Sequence, residues 1–357
     1  MPATNKTLIF KEVPTGLPVA GQHLAVEDRA PANFDPTTAA PPNGGLVLEL
    51  LYASYDPYLR GKMRPAGTKS YSPAFDIDGP VTNACVGRVV SASDGAAYAV
   101  GDLVLAYVPI AEYAVLTKEQ AAGAVQRKID NPHGLDLAVF LGPLGMPGLT
   151  AWSSLYEIGQ PKKGETIFIS SAAGAVGQVV GQVAKREGLR VIGSVGSDDK
   201  LEFIVKELGF DGGWNYKKEK TADALERLAP EGVDIYFDNV GGEQLQAALE
   251  KMNQHGRLIE CGMISQYNLP ADKRYGINNL FHVVAKRLRI EGFIVGDKNF
   301  GPKHAAEHQQ KLQAWLVDGS VKAKIHVTDG IDKAAEGFID MLEGHNFGKA
   351  VLKIKSE

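Results

Sequence analysis

The sequence predicts an α/β fold: a doubly wound parallel sheet with a second, β-rich domain that forms a partly open barrel. Three observations carry this. From about Phe140 onward, strand-like apolar runs alternate with helical segments, the pattern of a parallel sheet covered by helices on both faces. Within that region, Ser-Ser-Ala-Ala-Gly-Ala-Val-Gly (residues 170–177) follows directly on the apolar run Thr166-Ile167-Phe168-Ile169. Residues 1 to about 137, in contrast, are rich in Val, Ala, Tyr, Pro and Gly and hold only short apolar runs between turn residues.

In chain order, residues 46–52 and 85–90 read as strands, the first preceded by the turn Pro41-Pro42-Asn43-Gly44-Gly45. Gly101-Asp102 marks a turn before a further strand at 103–107. After the strand at 166–169, a helix is expected from Ala175 to about Glu187, closed by Gly188, and then a strand at 189–194. Further strands follow at 233–237, 257–261 and 288–293, with a helix at 245–252 among the segments between them. The tail returns to a strand at 350–354 and is too short to stand alone. Residues 1–137 plus 324–357 are therefore expected to form the β-rich domain, and 138–323 the domain with the parallel sheet.

A strand that enters a Gly-rich turn and then a helix is how a dinucleotide pyrophosphate is held: glycine admits the backbone close to the anion, and the helix N-terminus offers N–H groups to it. Ala172, Gly174 and Gly177 occupy the three positions of G-x-G-x-x-G, with Ala in the first. The end of the next strand selects the nucleotide. An NAD site places Asp or Glu there to accept from the ribose hydroxyl. This chain has Ser194-Val195-Gly196-Ser197 instead, with Lys200 and Tyr216 beyond. Without an acid, a ribose 2′-phosphate is not repelled, and NADPH is the expected cofactor. Asp198 and Asp199 read as caps of the following helix or, alternatively, as the ribose acid. In open parallel sheets ligands sit beyond the carboxyl ends of the strands, which draws attention to segments 238–242 and 262–268.

With 357 residues, 44% apolar and 22% charged, the composition is that of an ordinary globular protein. A net charge of −4 gives no case for a nucleic-acid partner, and no apolar run approaches a membrane span. Residues 1–6 are not followed by an apolar core, so no signal peptide is read. Cys85 and Cys261 cannot build a disulfide framework, which fits a reducing cytoplasm. The chain has neither C-x-x-C nor H-E-x-x-H. His304 and His308 are spaced i, i+4 amid Lys303, Glu307, Gln309 and Gln310 and are read as a solvated helix face. No metal is predicted.

Several motifs in a fixed order carry a resemblance: Asp56-Pro57-Tyr58-Leu59-Arg60, Leu144-Gly145-Met146-Pro147-Gly148, Asn215-Tyr216-Lys217, Tyr236-Phe237-Asp238-Asn239-Val240-Gly241-Gly242, Cys261-Gly262-Met263-Ile264-Ser265-Gln266-Tyr267-Asn268 and Asn346-Phe347-Gly348-Lys349, together with the Gly-rich turn. Across nearly its whole length the chain resembles the zinc-independent medium-chain dehydrogenase/reductases of the prostaglandin reductase and alkenal double-bond reductase group. Met-Ile-Ser-Gln-Tyr-Asn is closest to the plant double-bond reductase and bacterial curcumin reductase form.

That resemblance implies a Rossmann domain beside a GroES-like barrel, and an NADPH-dependent reductase of the carbon–carbon double bond in α,β-unsaturated aldehydes and ketones. It assigns the pyrophosphate to Gly174, Ala175, Val176 and Gly177 and the 2′-phosphate to Lys200 and Tyr216. The rest of the cofactor falls to Asn239, Cys261, Gly262, Met263, Ile264, Ser265, Tyr267, Phe293, Ile294, Val295 and Asn346. Tyr58 and Tyr267 would face the substrate, an enal or enone, and a homodimer is the implied assembly.

Tyr267 is the expected donor to the developing enolate, because an ordinary phenol is protonated at neutral pH. The cofactor ribose shares that task. Other residues have plainer readings. Arg60 reads as a surface salt bridge ahead of a carboxylate anchor. The 144–148 segment reads as a hinge with Met146 near the nicotinamide. Asp238 reads as a helix cap or loop anchor beside a cofactor contact. Residues 62–80, with Tyr71 and Phe75, read as a cover for the substrate. The competing functions are a quinone reductase, a ketone or alcohol dehydrogenase, and a protein that binds NADPH without turnover.

Overall fold

The computed structural model describes residues 2–355. It divides into two compact units: Met1–Leu141 with Ile325–Asn346 and Ala350–Glu357, and Gly142–Lys324 with Phe347–Lys349.

The first unit opens with the antiparallel pair β1 (Lys6–Phe10) and β2 (Leu24–Asp28). Its main sheet contains β3 (Leu46–Ser54), β4 (Thr82–Ala92), β5 (Leu103–Pro109), β6 (Tyr113–Leu116) and β7 (Val125–Lys128). β3 is apolar almost throughout and buried on both faces, so it lies at the centre of the sheet, paired with β4 and β6. β4 pairs β5, and β5 pairs β7, all antiparallel. Leu8, Phe10, Leu48, Leu50, Tyr55, Val89 and Phe338 are among the residues of one buried cluster that fills this unit.

The second unit holds a six-stranded sheet. Its strands are β8 (Thr166–Ile169), β9 (Arg190–Val195), β10 (Gly212–Asn215), β11 (Val233–Asp238), β12 (Met252–Glu260) and β13 (Arg289–Gly292). The order is β10-β9-β8-β11-β12-β13 and each pairing is parallel. The order reverses between β8 and β11, the switch point at which such sheets open a crevice for ligands. Its helices pack in two groups: Met146–Ser154 touches Gly177–Arg186 and Gly301–Val317, while Gly242–Lys251 touches Thr221–Leu228 and Phe281–Ala285. Phe168 stacks on Tyr236, ring centroids 4.6 Å apart, and packs against Trp214 at 4.9 Å in the buried centre.

Two glycines show why the Gly-rich turn and its helix fold as they do. A Cβ on Gly181 would lie 2.0 Å from the Phe210 ring, so only glycine admits this helix so close to its neighbour. Gly188 (φ +80°) ends the helix in the left-handed region, with its own N–H on the Lys185 carbonyl and that of Leu189 on Ala184. The last strands, β14 (Ile325–Asp329) and β15 (Lys349–Lys353), complete the sheet of the first unit, where β15 runs antiparallel to β3.

Candidate active site

β8 delivers the chain to the sheet's carboxyl edge at Ser170. Ser171 then turns through the left-handed region (φ +52°), and Gly174 donates back to its carbonyl at 2.9 Å. A Cβ on Gly177 would lie 2.4 Å from the Ser171 oxygen and 2.8 Å from the Ala172 Cα, so the turn closes only around a bare backbone. The helix begins at Gly177, two residues later than the sequence suggested, and no side chain caps it. Ala175 and Val176 lie half-buried just before it. This uncapped helix end behind a tight glycine turn fits a pyrophosphate.

β9 ends beside a cationic patch. Ser194 is fully buried and donates to Gln244 Oε1 at 2.6 Å. Ser197, not either aspartate, caps the helix Asp198–Glu202, its hydroxyl accepting from Lys200 N. Asp198 accepts from Asn215 Nδ2 at 2.9 Å and also pairs with Lys218. Those two contacts hold its carboxyl below the usual range. Lys200 has its ammonium pushed down, first by burial and then by the neighbouring Lys217. A Cβ on Gly196 would lie 3.2 Å from the Tyr216 hydroxyl. Lys200 is half-buried and the neighbouring Lys217 and Tyr216 are exposed, a cationic group with a phenol that suits a dianionic phosphate.

The edge beyond β11 and β12 is tied together by Asp238, which anchors the loop and does not cap a helix. Its Oδ1 accepts from Val240 N and Gly241 N at 2.8 Å, from the Tyr236 hydroxyl at 2.7 Å and from Ser170 Oγ at 3.1 Å. Its carbonyl accepts from Cys261 N and Gly262 N. Asn239 donates to Ser170 through its N–H and its side chain, both at 2.8 Å. The next loop is fastened to this one: Ile264 N donates to the Asn239 carbonyl, and both Ser265 N and Ser265 Oγ donate to that of Val240. Tyr267 ends the helical turn Ile264–Tyr267 and folds back, so that its phenolic oxygen accepts from Met263 N at 3.0 Å. Past β13, Phe293 packs on Phe300 with centroids 5.0 Å apart, and the Ile294 and Val295 carbonyls accept from Asp297 and Gly301.

Tyr58 and Asn346 belong to the other unit. Asn346 is half-buried beyond the helix Ala334–Glu343. Tyr58 donates to Asn83 Oδ1 at 2.8 Å and meets the Tyr107 hydroxyl at 3.2 Å. Lys62 Nζ donates to Tyr107 at 3.0 Å. Asn83 Nδ2 donates to Asp56 Oδ2 at 2.9 Å, as does Ser54 Oγ at 2.5 Å. Burial, followed by the Asp56 charge and Tyr107, pushes the Tyr58 phenol well up, so it stays protonated. The sequence reading missed Lys62, Tyr107 and Asn83. Lys62 was findable, being four residues after Tyr58; the other two come from β5 and β4, joined to it only by the fold.

Three readings are corrected. Arg60 is not a surface salt bridge: it is buried and donates to the Gly16 carbonyl at 2.8 Å and that of Pro14 at 3.2 Å. His304 and His308 do not form a solvated face. Both are buried, His304 on Glu157 Oε1 at 2.6 Å and His308 on the Pro143 carbonyl at 2.8 Å, because the helix that carries them packs on Met146–Ser154. Phe75 does not cover a substrate; it is buried against Phe10 in the core, whereas Tyr71 is exposed.

Residues 175–309 match a family model described as "Zinc-binding dehydrogenase", and residues 6–123 one described as "N-terminal domain of oxidoreductase". The donors present do not suit zinc. Burial pushes the thiol of Cys85 far up and that of Cys261 to about 12. Among the described residues the one group of three candidate ligands is Asp340, Glu343 and His345, all exposed and without a cysteine. The chain is 54% identical over 352 residues to an NADP-dependent oxidoreductase of Cochliobolus heterostrophus, covering 98% of this chain and 97% of that one. It is 37% identical to a 2-alkenal reductase (NADP(+)-dependent) of Nicotiana tabacum, covering 99% and 98%. The structure of CurA from Vibrio vulnificus in complex with NADPH superposes with a TM-score of 0.86 at 33% identity, covering 99% of this chain and all of that one. Together these show an NADPH-dependent oxidoreductase: the chain belongs to the zinc-independent medium-chain dehydrogenase/reductases, in the group of alkenal and curcumin reductases.

Proposed function

We propose that the protein reduces the carbon–carbon double bond of α,β-unsaturated aldehydes and ketones. The observation that carries this is the loop 261–268, with Tyr267 turned back on its own backbone beside the nucleotide edge of the sheet. NADPH, when bound, supplies the hydride that reaches the substrate's β-carbon. Gly174, Ala175, Val176 and Gly177 hold the pyrophosphate, and Lys200 and Tyr216 the 2′-phosphate. Asn239, the 261–265 backbone, the 293–295 turn and Asn346 hold the remainder.

As charge moves to the carbonyl oxygen, the Tyr267 hydroxyl donates to it. The Met263 N–H on the phenolic oxygen fixes that hydroxyl and strengthens it as a donor. Tyr58 is the second tyrosine assigned to the substrate. With no suitable zinc donors among the described residues to polarise an alcohol, oxidation of simple alcohols is a poor match.

The test is NADPH consumption with a panel of enals and enones, with NADH, saturated carbonyls and a quinone as controls. Turnover of enones to saturated carbonyls with NADPH supports the reading. Turnover of quinone alone moves the protein to quinone reduction, and tight NADPH binding with no turnover of any acceptor moves it to a binding role.

A further inference from the structure

The strands β9 and β10 leave the parallel sheet side by side. Val195 pairs with Asn215, and Tyr216 N donates to the Val195 carbonyl at 3.0 Å, which sets Tyr216 beside Gly196 just past the strand ends. Asn215 then fixes the turn that follows. Its Oδ1 accepts from Lys217 N at 3.1 Å, its carbonyl accepts from Lys218 N at 2.9 Å, and its Nδ2 donates to Asp198. The two lysines of this turn meet different surroundings. Lys218 pairs with Asp198. Lys217 is exposed, and none of the ion pairs among the described residues includes it. Its charge acts on the half-buried Lys200 ammonium. Two ammonium groups that repel each other, one of them half-buried, are unfavourable until an anion joins them.

We propose that Lys217 is a third ligand of the cofactor's 2′-phosphate, beside Lys200 and Tyr216, and a determinant of the preference for NADPH over NADH. This rests on the assignment of Lys200 and Tyr216 to that phosphate. Charge balance is the main argument. A phosphate monoester carries about −1.5 to −2 at neutral pH. A phenol brings it a hydrogen bond and no charge, so Lys200 alone leaves much of that charge unmatched. Of the two lysines in the turn, Lys218 is already matched by Asp198, and Lys217 is not. The repulsion that disfavours Lys200 and Lys217 without cofactor becomes attraction of both for one anion. Asn215 is the positioning residue, because one amide holds the backbone of Lys217 and the carboxylate that occupies Lys218.

The experiment titrates NADPH, NADH, 2′,5′-ADP and 5′-AMP by calorimetry into wild type, Lys217→Met, Lys217→Arg, Lys220→Met and Lys200→Ala, and records each melting temperature without nucleotide. Lys217→Met should bind NADPH and 2′,5′-ADP about 10-fold more weakly, the low end for a charged hydrogen bond, with NADH and 5′-AMP unchanged. Lys217→Arg keeps the charge and should keep most of the affinity. A purely structural lysine would lower the melting temperature when replaced; Lys217→Met should leave it equal or raise it, because a repulsion is removed. Lys220, just before the helix Thr221–Leu228, controls for the general field: Lys220→Met removes the same charge and should bind NADPH as wild type does. Undiminished NADPH affinity in Lys217→Met, an equal loss for NADH, or an equal loss in Lys220→Met would overturn the role of Lys217 alone while Lys200→Ala still weakens NADPH selectively. If neither Lys200→Ala nor Lys217→Met weakens NADPH selectively, the assignment of the 2′-phosphate to this patch fails, and the role of Lys217 fails with it.

Discussion

Asp238 and Glu260 stand opposite one another in the parallel pairing of β11 and β12, at the carboxyl ends of both strands. Asp238 Oδ1 is saturated by four donors, whereas Asp238 Oδ2 and both Glu260 oxygens are buried and meet no other donor. Two buried carboxylates set against each other in this register disfavour ionising together, which raises both. Burial, then the Asp238 charge, pushes Glu260 up to about 8, and burial raises Asp238 as well.

The pair makes stability depend on pH with a definite sign. Unfolded, Glu260 titrates near 4.5; folded, near 8. Between those values the native state binds more protons, so unfolding free energy falls as pH rises through that window. The melting temperature of wild type minus that of Glu260→Gln should therefore decrease from pH 5 to pH 8 and level off above. A difference that stays constant across the window contradicts a raised Glu260.

Asp238 holds two loops through one carboxyl group. Asp238→Ala leaves the Val240 and Gly241 N–H groups without their acceptor, at about 1–3 kcal/mol for each group that stays buried. We expect a fall of several degrees in melting temperature and weaker NADPH binding, read by calorimetry. Unchanged affinity in a folded variant would separate these loops from the cofactor.

Discrimination between cofactors should lie in Lys200 and Tyr216. Charged hydrogen bonds contribute roughly 1.5–3 kcal/mol, so Lys200→Ala should weaken NADPH about 10- to 100-fold and leave NADH nearly unaffected. Equal loss for both nucleotides would remove Lys200 from the 2′-phosphate.

Gly177→Ala puts a methyl group 2.4 Å from the Ser171 oxygen. The turn must open, and NADPH binding should be lost at concentrations that saturate wild type, with a smaller effect on the melting temperature. Wild-type affinity in this variant would show that the turn does not hold the pyrophosphate.

Much of the second unit was legible because its signals are local. Residues 166–177 contain the strand, turn and helix start in one stretch, and Gly188 stops the helix by its own conformation. The missing acid after β9 was equally visible, although Ser197 rather than Asp198 or Asp199 caps the next helix, because Asn215 and Lys218 draw Asp198 aside. What was hidden depends on pairing across the sheets. Nothing in the sequence sets Glu260 against Asp238 except the register of β11 and β12. Nothing near Tyr58 in the sequence announces Asn83 or Tyr107. His304 and His308 have polar neighbours in the chain, yet the packing of their helix buries both, which charge patterning alone does not reveal.

The most direct test of the central claim follows the hydride. The protein is given NADPH carrying deuterium at the transferable position of the nicotinamide, together with a simple enone, and the product is examined by NMR. The account predicts a saturated ketone with deuterium on the β-carbon and a solvent-derived proton on the α-carbon, formed much more slowly by Tyr267→Phe. Deuterium on the carbonyl carbon of an allylic alcohol would contradict it.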